Sequence, residues 1–197
     1  MIEATVRVWT VGFPALGALV VFDEVQSVIG PCNEAAVVYR DFDPRFAEIA
    51  RQVAGLISRH LPSLRVEHVG STAVPDCGGR GIVDLLIACP EGEMEKVHSL
   101  LERLGFRPGG DVVLPPHAPA LRGVLDYNGD AFPLHVYVLS AGADQADSMR
   151  FLRSCLRSDA ELARAYVQHK RAIVAKGVRE ESEYNRQKAE FLKMVLG

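Results

Sequence analysis

The chain has 197 residues, 48% hydrophobic and 24% charged, with a formal net charge of −3. That length favours one domain, or one domain with an appendage, and a core can form without disulfide or metal staples. The charge gives no reason for non-specific nucleic-acid binding. No apolar run approaches the roughly 20 residues that span a bilayer, and the four cysteines lack the spacing of a zinc site or a disulfide framework.

Reduced thiols fit a cytoplasmic protein. The apolar run Val11 to Phe22 is too short for a membrane span. Only Arg7 precedes it, opposed by Glu3, so it is a poor secretory signal. Residues 1–34 read as an N-terminal extension. A strand over Thr5–Val11 and a short helix over Pro14–Ile29 fit its pattern, and Pro31, Cys32 and Asn33 read as a linker. This arm would pack on the main domain or serve an oligomer contact.

The main domain, 35–197, opens with Asp43 placed to cap a helix over Pro44–His60, whose apolar residues Phe46, Ile49, Ala50, Val53 and Ile57 recur at helical spacing. Strands follow over Leu64–Val69 and Ile82–Cys89; the second is almost wholly apolar, as a central strand should be. A helix over Glu93–Leu104 closes at Gly105. Residues 108–120 are rich in proline and glycine and read as a mobile loop. Strands over Arg122–Tyr127 and Phe132–Leu139 meet at Asn128-Gly129, a strong hairpin signal. From Asp144 the pattern is helical, over Asp144–Arg157, Ala160–Lys176 and Glu180–Leu196.

The stretch Val66 to Ile87 carries most of the chemical information. Gly70 permits a sharp bend and a close ligand approach. Ser71 and Thr72 offer hydroxyls, and amides at a helix start bind anions; the plainer alternative is an ordinary turn with a capping serine. Asp84 interrupts an apolar strand, and alternation puts Ile82, Asp84, Leu86 and Ala88 on one face. Burying that carboxylate alone would cost several kcal/mol, so it is either a magnesium or ligand contact or half of an ion pair, with Arg80 the nearest candidate. The hairpin could carry His135 toward Asp84, although a lone strand histidine, like His68, is often only a hydrogen-bonded structural residue. Arg153 and Arg157 lie one turn apart and could reach a phosphate. The other late basic residues, Arg150, Arg164, Lys170, Arg171, Arg186 and Lys188, mostly read as a solvated helix face.

The run His68-Val-Gly-Ser-Thr-Ala-Val-Pro75, followed by Gly81-Ile-Val-Asp84, resembles the GrpB-like family. So do Leu134-His135-Val136, the block Leu152-Arg153-Ser-Cys-Leu156-Arg157, Tyr166, Lys170, and Tyr184-Asn-Arg-Gln-Lys188-Ala-Glu-Phe191. The similarity spans roughly residues 36–196, and several ordered blocks make chance agreement a poor explanation. The resemblance implies a branch of the nucleotidyltransferase superfamily. The expected fold class is α/β (α+β): a nucleotidyltransferase-like mixed β-sheet flanked by helices, with a helical C-terminal third. It also implies a Gly70-Ser71 turn that holds nucleotide phosphates, and Asp84 as the first magnesium-binding carboxylate. A related domain fused to dephospho-coenzyme A kinases points to a nucleotide-related or structural role.

The chain departs from that pattern. Leu86 stands at the second carboxylate position, His135 at the third, and Arg80-Gly81 replaces a lysine-proline pair. Ser154 and Cys155 interrupt the arginine-rich block of the C-terminal third. Two-metal transfer needs carboxylates clamping ions about 4 Å apart. Leucine ligates nothing, and a neutral imidazole suits magnesium poorly, although zinc or manganese becomes conceivable if His135 meets Asp84. Two expectations result. In the first, the protein binds a nucleotide or phosphorylated small molecule with Mg2+. Asp84 then coordinates the metal, Asp84 and His135 sit at the reacting centre, and Gly70, Ser71, Thr72, Arg80 and Arg153 hold phosphate. In the second, it is a non-catalytic structural or regulatory module whose helices and N-terminal arm form contacts, with homo-oligomerisation as one form of them.

Overall fold

A computed structural model of the chain describes residues 29–30, 36–109 and 120–196. Its organising element is strand β3, Val83–Cys89, hydrogen-bonded on both sides. The earlier elements are β1 (Ile29–Gly30), α1 (Arg45–His60) and β2 (Val66–Val69). After β3 come α2 (Met94–Arg103), β4 (Arg107–Pro108), β5 (Leu121–Tyr127) and β6 (Asp130–Ser140). The chain then turns wholly helical, through α3 (Asp144–Ser158), α4 (Ala160–Ala175) and α5 (Glu181–Leu196).

The sheet runs β1-β5-β6-β3-β2, with β4 also on β5. Among the described strands only β3 and β6 pair in parallel, so the sheet is mixed. Period-two alternation divides it. Val83, Leu85 and Ile87, with Leu134, Val136 and Val138, face α1 and α2 and form the main core with Phe46, Ile49, Val53 and Leu101. Asp84 and Leu86, with their register partners His135 and Tyr137, face the C-terminal helices. There Leu86 joins Val69, Leu139 and Ala146 in a smaller apolar cluster beneath α3. One face therefore holds the fold together while the other mixes packing with charge.

The local signals act as expected. Asp43 Oδ1 accepts the Arg45 N–H at 2.8 Å at the start of α1. Asn128 and Gly129 adopt positive φ, 56° and 84°, as a two-residue hairpin turn requires. Asp159 caps α4 by accepting from the amides of Glu161 and Leu162, each at 2.9 Å. Two expectations need correction. Ile29, expected to end a helix, is instead in β1 and pairs with Leu125; the rest of that helix and the Thr5–Val11 strand lie outside the described residues. Pro108, expected in a loop, pairs with Leu121, because Gly109 N donates to Ala120 O and closes the loop ends. Residues 110–119 also lie outside the description.

Helix α3 is fastened to the sheet edge by Glu67, which accepts from Arg150 Nε at 2.9 Å and from an Arg153 guanidinium nitrogen at 3.3 Å. Burial pushes this carboxyl up, but the two guanidiniums more than reverse that and hold it below its usual value. Its stabilising effect is therefore present above the ordinary carboxylate range and is lost as pH falls through the depressed native value. Glu67→Ala should lower the unfolding free energy by about 2 kcal/mol at neutral pH, since it strands two partly buried cations. Urea melts at a series of pH values should show the difference from wild type closing in acid.

Candidate functional site

Register brings the site together. Arg122, His135, Asp84 and Val69 are mutual partners on four adjacent strands, so they form one row across the sheet, with neighbours about 4.8 Å apart. The chain leaves β2 through Gly70, at φ +71°. A Cβ there would overlap Asp84 Oδ2, so the carboxylate packs against bare backbone. The expected proximity of bend and aspartate is therefore real. The Asp84 side chain is also 19% exposed, so it is not sealed away.

Ser71–Ala73 form a single 3-10 turn closed by Val74 N to Ser71 O at 3.0 Å. It is too short to carry a helix macrodipole, so the expected helix-start anion site is not built here and positive charge comes from side chains. The returning loop is held by paired backbone bonds between Gly79 and Arg40, 2.6 and 2.9 Å. A Cβ on Gly79 would lie 3.1 Å from Ser71 Oγ and 3.2 Å from Lys170 Nζ. The serine hydroxyl and the lysine ammonium thus flank the same bare glycine. Lys170 is 2% exposed, donates to Gly78 O, and sits 4.2 Å from the centre of the Tyr166 ring. Burial lowers its pKa, against the opposing pull of Cys77 and Asp84.

Helix α5 completes the cluster. Glu181 bridges Arg80 at 2.6 Å and Arg122 at 3.0 Å. Burial would raise its pKa, but these guanidiniums bring it to about 2. One turn on, the Tyr184 ring lies 5.5 Å from the Arg80 guanidinium and 5.9 Å from Lys188 Nζ. Burial, then Arg80, bring the Lys188 ammonium down to about 8. Burial pushes Asp84 up to about 6 despite Arg80, Lys188 and Lys170. His135 is neutral: burial, then Arg80 and Arg122, depress it to about 3. Its Nδ1 lies 3.7 Å from Asp84 Oδ1, too far for a hydrogen bond, and is buried without a partner. Among the described residues, the cationic side chains of Arg80, Arg122, Lys170 and Lys188 gather around the carboxyl groups of Asp84 and Glu181.

The donor set does not fit a resident divalent ion. Among the described residues no three His, Cys, Asp or Glu side chains converge as metal ligands. Leu86 is fully buried under α3, and Glu181 already carries two arginines. Asp84 is left with one neutral imidazole and a field of cations that opposes a further one. Among the described residues Asp84, the expected magnesium ligand, therefore stands outside any cluster of three or more such donors.

Gly70, Ser71, Arg80, Asp84 and His135 are brought together; Thr72 and Arg153 are not with them. Thr72 is buried, donates to Ile82 O and meets His68 Nε2, each at 3.0 Å. Arg153 donates to His68 O at 2.7 Å and to Glu67, and Arg157 donates twice to Ala73 O. These groups brace the turn from behind through hydrogen bonds to protein atoms. A cleft of about 780 Å³ opens on that rear side, lined by Phe42, His68, Thr72, Val74, Leu156 and Arg157 among others. It is largely apolar and excludes Asp84, so the charged cluster is the stronger candidate. Lys170 and Lys188, expected to be solvated, are instead turned inward. Their signal was the spacing Tyr166/Lys170 and Glu181/Tyr184/Lys188, which puts each set on one helix face.

Residues 36–197 match the family described as GrpB protein. The chain belongs to the GrpB family. A UPF0157 protein of Pseudomonas aeruginosa is 31% identical over 138 residues, 70% of this chain; the match spans 56% of the relative's length. A crystal structure of the conserved protein GrpB from Enterococcus faecalis superposes with a TM-score of 0.59 at 23% identity, covering 81% of this chain and all of that one, which shows a shared GrpB fold. A structure of the Cid1 poly(U) polymerase bound to MgATP matches with a TM-score of 0.48 at 14% identity, covering 71% of this chain and 46% of that one. No helix among the described residues is long and apolar enough to cross a membrane.

The electrostatics of Asp84 set apart two roles for it in this GrpB-family protein. The native carboxyl keeps its proton up to about pH 6, whereas the unfolded chain loses it near 3.8. Stability contributed by this group therefore falls as pH rises between those values. Asp84→Asn should raise the melting temperature by a few degrees at neutral pH, the gain shrinking toward pH 4. A structural ion pair would give the reverse, a loss of stability at neutral pH.

Proposed function

We propose that this GrpB-family protein binds a phosphate-bearing ligand, with nucleotides as the favoured class, between the Gly70-Ser71 bend and Asp84, without nucleotidyl transfer. The observation that carries this reading is the convergence of the Ser71 hydroxyl and the Lys170 ammonium on Gly79, beside a carboxylate lying on Gly70. Inward-turned lysines are unfavourable for stability and are well explained by an anionic ligand. The nucleotide preference comes from the resemblance to the GrpB-like family, which implies a branch of the nucleotidyltransferase superfamily. Leu86, at the position where the resemblance puts a second carboxylate, supports binding over transfer, since a two-metal reaction needs that second ligand.

Ligand-induced thermal stabilisation tests this. A ligand at about 100 times its Kd stabilises the native state by about 2.7 kcal/mol, several degrees for a chain of this size. Nucleoside mono-, di- and triphosphates should raise the midpoint, their unphosphorylated nucleosides should not, and Ser71→Ala should reduce the rise. Equal shifts for nucleosides and nucleotides, or none for any phosphate compound with or without divalent ions, would overturn the reading.

A further inference from the structure

We infer that the gap between the His135 imidazole and the Asp84 carboxyl reads a hydroxyl group on the organic part of the ligand, which makes that ligand a sugar phosphate, free or within a nucleotide. The inference rests on the reading above that a phosphate-bearing ligand binds here. His135 carries it. The residue is 4% exposed, and its Nδ1 has no hydrogen-bond partner among the described residues. Burial keeps the ring neutral, and Nδ1 faces Asp84 Oδ1 from 3.7 Å. A lone pair in that direction would be repelled by the carboxylate, so the ring proton belongs on Nδ1. A buried N–H without an acceptor is costly, and Asp84 is too distant to be that acceptor.

The spacing selects the group. An oxygen set to one side of the line joining the two atoms lies within about 2.8 Å of both. It must accept from Nδ1–H and donate to the carboxylate. A hydroxyl does both through one atom, whereas a carbonyl only accepts and an ammonium only donates. A hydroxyl also displaces water from such a gap while keeping both hydrogen bonds. Entry is from the Asp84 side, where the side chain is 19% exposed and its terminal torsion is soft enough for the carboxyl to turn. The gap is also close to the phosphate position. The other carboxyl oxygen, Oδ2, lies on bare Gly70, and Ser71, the next residue, turns its hydroxyl toward Gly79 together with Lys170 Nζ. Consecutive Cα atoms are about 3.8 Å apart, so the phosphate and a hydroxyl of one sugar phosphate reach both places.

Isothermal titration calorimetry on the full chain tests the inference. The probes are a ribonucleoside monophosphate, its two deoxy forms that each lack one ribose hydroxyl, a pentose phosphate and inorganic phosphate. The ribonucleotide should bind more tightly than inorganic phosphate, and the pentose phosphate tells whether the base adds to the sugar. One deoxy form should bind about tenfold or more weakly than the ribonucleotide. His135→Leu should weaken the ribonucleotide to the level of that deoxy form and leave the deoxy form itself unchanged, a pattern that a merely structural loss would not give. His135→Asn, which returns an N–H donor near the Nδ1 position, should restore the discrimination. Circular dichroism and the melting temperature of each variant guard against a folding defect. Equal affinity for the ribonucleotide and both deoxy forms would overturn the hydroxyl inference while leaving the phosphate site standing. Discrimination that persists in His135→Leu, or that follows the base instead of the sugar, would overturn it as well. No binding of any phosphate compound would remove the underlying reading.

Discussion

The bridge from Arg80 through Glu181 to Arg122 is the contact on which the rest of the site depends. It joins the loop before β3, the strand β5 and the helix α5, three pieces far apart in sequence. Without it the start of α5 would lose its ion-pair anchor to the polar face of the sheet, and with it the placement of Tyr184 and Lys188. A carboxylate shared by two guanidiniums is well suited to this, because planar forks restrict geometry as well as attract.

The sheet separates two physical tasks. One face is a close-packed apolar core under α1 and α2. The other collects groups that are unfavourable for folding on their own: an aspartate held near neutrality, two lysines with lowered pKa values and a histidine with an unsatisfied nitrogen. Sites that bind ligands commonly carry such locally unfavourable groups, and the surrounding structure must hold them in place. Here the support comes from the apolar face and from the Glu67 clasp on α3, while Thr72, Arg153 and Arg157 lock the Ser71–Ala73 turn from behind.

Much of the fold was legible because its signals are local. The capped start of α1, the Asn128-Gly129 hairpin, the apolar run of β3 and the three late helices follow from periodicity and turn chemistry. The meeting of Gly70 with Asp84 was legible too, since consecutive strands tend to pair and the bend follows directly from β2. What escaped depends on tertiary context. The side of a helix on which Lys170 and Lys188 end up is decided by the packing of α4 and α5, not by their charge. Arg153 looked like a phosphate ligand, but the buried Glu67 was the nearer partner. Two-residue strands such as β1 have no periodicity to read. The resemblance to a metal-dependent superfamily drew attention to Asp84, but the cations around it and the burial of Leu86 beside it are set by tertiary packing and were not readable from the motif.

A crystal structure grown with a nucleoside monophosphate and no divalent ion tests the central claim most directly. The account predicts phosphate density between Gly70 and Gly79, within hydrogen-bonding reach of Ser71 Oγ and at least one of the Lys170 and Lys188 ammonium groups. Phosphate seated instead in the cleft beside His68 and Arg157, or bound at Asp84 only after a divalent ion is supplied and seen on that carboxylate, would contradict it.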